Sequence, residues 1–181
     1  MEVIKINSTD IFLDDMGQNR GKLTISDTYG HNYSAYWGSM GCNLRDFIKG
    51  INSEYFANNL IDPWGKNEID VKKTFAQIRK HIREEIMPWH QHMEFQKEMR
   101  ITLNNFQREC EEFKSEQYFV DRFFSGFVND LDYHLINDWI DRKDIEGSFR
   151  GISEQWYFIS KKHTTNYNWL VKLHKQLIRV L

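Results

Sequence analysis

Four residues in the second half of the chain are spaced for chemistry. Asp130, His134, Asp138 and Asp141 fall at i, i+4, i+8 and i+11, which places three carboxylates and an imidazole on one helical face. A hydrolase that holds Mg²⁺ or Zn²⁺ uses such a set, with carboxylates on the ion and histidine as ligand or proton shuttle. Leu131, Leu135 and Trp139 fill the neighbouring apolar face, so the same row also describes the solvated side of an amphipathic helix, which is the simpler reading. His90-Gln91-His92, with Glu94 close by, is a second cluster. Histidines at i and i+2 share a face on a strand but diverge on a helix, and Pro88 followed by a helical pattern points to a helix start. No distant residue completes a metal shell there, so the expectation is a polar first turn and no bound metal.

The third group is cationic. Lys72, Lys73, Arg79, Lys80 and Arg83 form the polar face of one helix and could track phosphates, with Trp64, Trp89 or Tyr55 available to stack on bases. A sequence pI of about 6.4 is far from that of a basic nucleic-acid binder, and Glu84 and Glu85 close the row with opposite charge. The net charge of −2 hides a segregation. Glu109 to Glu146 holds eleven acidic and four basic residues, a balance of −7, whereas Gln155 to Leu181 holds five basic and no acidic ones. Such blocks either neutralise each other across a fold or present a face to a partner. No glycine-rich phosphate loop, nucleophile elbow or cysteine with an obvious histidine partner is present, so no catalytic residue and no cofactor is assigned.

The elements that must position these groups can be read from period. Leu23 and Ile25 alternate with polar neighbours, as do Tyr33, Ala35 and Trp37, and Asp27 to Asn32 supplies the Gly and Asn of a hairpin turn. Val3–Ile6 and Ile11–Leu13 add further strands, for a small antiparallel sheet of about three, with Asp14 to Asn19 as the turn into Gly21. Asn43 caps a helix whose Leu44, Phe47, Ile48 and Ile51 form one stripe, and Ser53 is the expected cap of the next. Asp62-Pro63-Trp64-Gly65 is a breaker. Beyond it Val71, Phe75, Ile78, Ile82 and Ile86 predict a helix capped by Asn67 or Asp70 and ended by Pro88. The longest pattern follows: Met99, Leu103, Phe106, Cys110, Phe113, Gln117, Val120, Phe124, Phe127 and Leu131 step by four and three, a seam for another helix or a second copy of the chain. A break is expected near Ser125-Gly126. Trp156 to Ile159 reads as a helical turn, and a last helix from Thr164, Thr165 or Asn166 carries Trp169, Leu170, Leu173, Leu177 and Ile178.

With 181 residues, 40% hydrophobic and 15% aromatic, the chain reads as one folded domain, 1–61 holding the sheet with short helices and 66–181 the helical part. The class is α+β with a predominantly helical remainder. Cys42 and Cys110 lack metal or redox spacing, there is no signal-peptide profile and no membrane-spanning run, so a cytoplasmic protein without membrane contact is expected.

Ser26, Asp27, Tyr29, Gly30, Tyr33, Trp37 and Gly41, followed by Phe47, Ile48, Tyr55 and Phe56, resemble the pattern of a group of small phage- and prophage-encoded proteins of unknown function. Thr28 is inserted between Asp27 and Tyr29, so the turn here is one residue longer. The likeness covers about a third of the chain, and its hydrophobic and turn residues speak to fold, transferring no catalytic group. It implies a non-enzymatic accessory protein, acting in the bacterial host by binding a host protein. It further implies an inhibitor of a defence system such as a CRISPR-Cas effector, with Asp130, Asp138 and Asp141 on an acidic face that mimics nucleic acid. A metal-dependent hydrolase built on the Asp130–Asp141 helix and a nucleic-acid-binding phage factor using Lys72, Lys73, Arg79, Lys80 and Arg83 are the alternatives.

Overall fold

The alternation of apolar residues in the first forty positions sets the register of a four-stranded antiparallel meander in the computed structural model, which describes residues 1–88, 93–128 and 155–181. Its strands are β1 (Glu2–Ile6), β2 (Thr9–Gly17), β3 (Arg20–Asp27) and β4 (Asn32–Trp37), in sequence order. Ile11 pairs with Ile25 and Leu13 with Leu23, while Ala35 faces Leu23 across β3–β4, so these buried side chains line one face. The sheet has one strand more than the expected three, because both N-terminal apolar runs become strands. β2 also runs on through Asp14 and Asp15, residues whose polarity suggests a turn. The turn itself is shorter: Gly17, Gln18 and Asn19 take φ of 71°, 52° and 58°, the left-handed geometry that a tight hairpin requires.

Three helices belong to this sheet. They are α1 (Leu44–Gly50), α2 (Ser53–Leu60) and the last helix of the chain (Thr165–Val180). Asn43 Oδ1 accepts from Asp46 N at 2.9 Å, as a cap should, and Asp15 Oδ2 accepts from Leu44 N at 3.0 Å, so a strand residue also caps α1. The N–H groups of Leu44 and Gly17 hold the Asp15 carboxyl below the usual carboxylate range. Gly21 lets α1 approach the sheet: a Cβ there would stand 2.9 Å from a methyl of Leu44. The cap of α2 is Asn52, whose Oδ1 accepts from Tyr55 N at 2.7 Å, and not Ser53 as the pattern suggests. Ser53 has another partner. His174, fully buried in the last helix, has Nε2 2.9 Å from Ile48 O and Nδ1 3.0 Å from Ser53 Oγ. Only an N–H can face a carbonyl, so Nε2 carries the proton and Nδ1 accepts from the hydroxyl. Its ring stacks on Phe56 with centroids 4.4 Å apart.

By contact, Met1–Asn67 and His163–Leu181 make one unit, and Glu68–Lys162 a second, with its own core. Two three-residue strands, β5 (Asn67–Ile69) and β6 (Lys161–His163), pair where the chain passes between the units, and both are too short for alternation to reveal. The second unit contains α3 (Val71–His81), a π turn at Ile82–Ile86, α4 (Met93–Phe113), α5 (Glu116–Arg122), a π turn at Phe123–Val128 and a 3-10 turn at Gln155–Phe158. We label the last helix of the chain α6.

The long apolar seam is not one helix. It stops at Phe113 and folds back, with Lys114 left-handed at φ 48° and its N–H bonded to Cys110 O at 2.8 Å, the geometry of a helix C-terminus. Ser115 restarts the chain as α5, its hydroxyl accepting from Tyr118 N at 3.2 Å. Phe113, on the seam by spacing, is exposed and stacks on Tyr118 across the corner with centroids 4.3 Å apart. The expected break near Gly126 therefore lies eleven residues earlier, and Ser125-Gly126 sits within the π turn. The seam closes within the unit on Phe106, whose ring lies 5.3 Å from Phe75, 5.4 Å from Phe119 and 5.5 Å from Phe127, centroid to centroid. Cys110 is buried in the same core, and burial, with the nearby Glu109 charge, pushes its thiol up to about 12, which leaves it unreactive at neutral pH. No helix of the described residues is long and apolar enough to cross a membrane.

Two outcomes test this packing. Ser115→Ala removes the α5 cap and lowers unfolding free energy by about 1 kcal/mol in urea titration. Burial holds the His174 pKa below its ordinary value, against the opposing pull of the Ile48 carbonyl. The unfolded state then binds a proton that the folded state refuses, so stability is full above about pH 6.5 and falls as pH drops below it. Urea midpoints measured from pH 7.5 to 5 should fall more steeply for the wild-type chain than for His174→Gln.

Candidate functional site

The basic helix can be followed residue by residue. Asp70 Oδ1 accepts from Lys73 N at 3.1 Å and starts α3, while Val71, Phe75, Ile78, Ile82 and Ile86 are all buried, as their spacing predicts. That leaves the cations on the outer face, where they do different things. Lys72 and Lys73 are exposed in the first turn. Lys80 Nζ lies 4.0 Å from Glu84 across one helical turn, an exposed pair of little energetic weight. Arg79 is half-buried: one Nη2 donates to Asn104 Oδ1 at 3.0 Å and also to Gln107 Oε1, and its guanidinium lies 6.0 Å from the Phe75 ring centroid. Arg79 therefore ties α3 to α4.

Arg83 has a different setting. It stands exposed on the π turn at the edge of a cavity of about 410 Å³ between α3 and α4. Ile82, Met99 and Leu103, all buried, with the half-buried Met87, make the apolar floor. Arg100 of α4 lines the same cavity, as do Gln96 and Asn104, four residues to either side of it. Among the described residues neither Arg83 nor Arg100 has a hydrogen bond or an ion pair. The planar fork of a guanidinium has the donor geometry that carboxylate and phosphate accept in bidentate fashion, and two such groups stand here beside an apolar floor. Arg100 is missing from the sequence-based candidates. Gln96, Arg100 and Asn104 recur every four residues beside the Met99–Leu103 step, a polar row flanking the seam, and that spacing was the available signal.

A second cavity, of about 120 Å³, is lined by Glu98, Glu109 and Arg122 among others. Glu109 and Arg122 pair with each other there: Glu109 Oε2 accepts from Tyr118 Oη at 3.0 Å and from Arg122 Nη2 at 3.3 Å. In the first unit the residues that carry the family-like pattern build a turn. Asp27 Oδ1 accepts from Tyr29 N and His31 N, each at 2.9 Å, its Oδ2 lies 2.9 Å from His31 Nδ1, and Gly30 takes a φ of 87°. Burial works against the Asp27 charge, but these hydrogen bonds, that of the His31 side chain foremost, hold its carboxyl below the usual range.

Asp130, His134, Asp138, Asp141, Trp89, His90 and His92 lie outside the described residues. Among the described residues no three His, Cys, Asp or Glu side chains come together as a metal site. Exchanging Arg79 for alanine removes the α3–α4 tie and lowers stability by about 1–2 kcal/mol. The same change at Arg83 stays within about 0.5 kcal/mol, since Arg83 holds nothing in place. Paired thermal melts of the two variants check this contrast.

The sequence model of a family described as a phage family matches residues 2–181. No curated protein and no solved structure matches the chain.

Proposed function

The chain belongs to this phage family, and on that premise we propose that it is a phage-encoded accessory protein that binds a protein of the host bacterium and catalyses no reaction. The observation that carries this reading is the groove between α3 and α4, where Arg83 and Arg100, without a partner among the described residues, stand beside a floor of Ile82, Met99 and Leu103. Exposed guanidinium groups next to apolar side chains are the ingredients of protein–protein hot spots. Its place of action is the host cytoplasm. Interference with a defence system, such as a CRISPR-Cas effector, is the narrower form of the proposal. It draws on the phage origin and on the −7 balance of Glu109 to Glu146, with Asp130, Asp138 and Asp141 standing in for phosphates.

Nucleic-acid binding through Lys72, Lys73, Arg79, Lys80 and Arg83 has weaker support. Arg79 is engaged with Asn104 and Gln107, Lys80 is beside Glu84, and Glu84 and Glu85 interrupt the positive row. A metal-dependent hydrolase would rest on Asp130, Asp138 and Asp141 alone.

A tagged full chain captured from host lysate, treated with nuclease and washed at moderate salt, distinguishes these readings. The expected result is one dominant host protein by mass spectrometry, retained after nuclease. Retention of nucleic acid alone, or of no protein, overturns the proposal.

A further inference from the structure

We infer that the α3–α4 groove takes an acidic segment of its partner protein, one in which Asp or Glu residues flank a bulky aliphatic side chain. This rests on the reading of the chain as a host-protein binder and names the chemistry of the contact. The cavity of about 410 Å³ lies within the range of sites that enclose one or a few side chains. Its two kinds of lining call for a ligand with two kinds of group. Met87, Met99 and Leu103 accept an aliphatic anchor, and the thioethers adapt to its shape. Arg83, after α3, and Arg100, on α4, have no partner among the described residues and supply the cations for carboxylates flanking that anchor.

Charge and shape together favour a peptide over a nucleic-acid strand. A strand would need stacking rings and a continuous positive track, whereas no aromatic side chain lines this cavity among the described residues and Glu84 and Glu85 follow Arg83 directly. An acidic peptide needs only the short positive rim and the apolar floor. Arg79 holds the floor in register by bonding α4, so the clamp is built on two fixed helices.

The test is selection of a displayed library of random dodecapeptides on the immobilised full chain, with the chain carrying Arg83→Glu and Arg100→Glu as counter-target. Both residues are exposed and have no partner among the described residues, and a thermal melt verifies that the double variant is folded. Enrichment of peptides with Asp or Glu beside Leu, Ile or Met is expected. Their affinity should fall by about tenfold or more on the double variant, the scale of one lost charge-assisted contact. Enriched peptides without acidic residues, peptides that bind both chains equally, or no enrichment at all overturn the inference. So does Arg83- and Arg100-dependent binding of a mixed-sequence single-stranded oligonucleotide in place of peptide. If the double variant still captures the host protein of the wild-type chain, the groove assignment fails while the host-binding reading stands. Peptide selection without any host protein captured is the reverse case.

Discussion

The helical unit closes on one aromatic side chain. Phe106 lies at the middle of α4 and meets Phe75 edge-on and Phe119 and Phe127 face-on, so three separately coded segments are gathered on a single ring. This packing fixes the separation of α3 and α4, and with it the width of the groove between Arg83 and Arg100. Arg79 then sets the register of the two helices by its bonds to Asn104 and Gln107, an interaction that is directional where the ring packing is not.

The sheet unit solves a different problem. Its meander has one apolar face, and α1, α2 and α6 belong to the same core, with Leu44, Ile48, Phe56, Leu170, Leu173 and Leu177 all buried there. His174 carries a polar link through that core, from Ser53 at the start of α2 to the Ile48 carbonyl in α1. A buried ring that both donates and accepts orients helices in a way that leucines cannot, and it does so only while neutral. Arg45 adds a link at the rim, pairing with Glu2 and donating to Leu181 O at 2.8 Å.

What the sequence made legible follows from the range of the forces involved. Alternation and helical stripes are local, so the hairpin, α1, α3 and α6 stand where their apolar residues put them, and the α+β class follows from them. The corner at Lys114-Ser115 was hidden because the four-three spacing of Phe106, Cys110 and Phe113 continues through Val120 and Phe127. Spacing records which residues are apolar, not whether the chain turns between them. Ser115 followed by Glu116 was the readable cap, and its signal is weaker than that of nine apolar residues in phase. Ser53 misled for a similar reason: a hydroxyl suited to capping was taken by a histidine more than a hundred residues away. At the groove, Arg83 was legible as a polar-face cation, but its freedom was not, because Arg79 and Arg83 look alike until α4 supplies partners for one of them. The residues around Asp27 and Gly30 form a turn, with Asp27 Oδ1 accepting from Tyr29 N and Gly30 in the left-handed region.

Binding of a host protein through the α3–α4 groove has a direct readout in hydrogen–deuterium exchange of the full chain, alone and in complex with the captured protein. New protection is expected at residues 79–87 and 96–104, with the β1–β4 meander unchanged. Protection confined to the meander or to α6, with the groove exchanging as in the free protein, would contradict it.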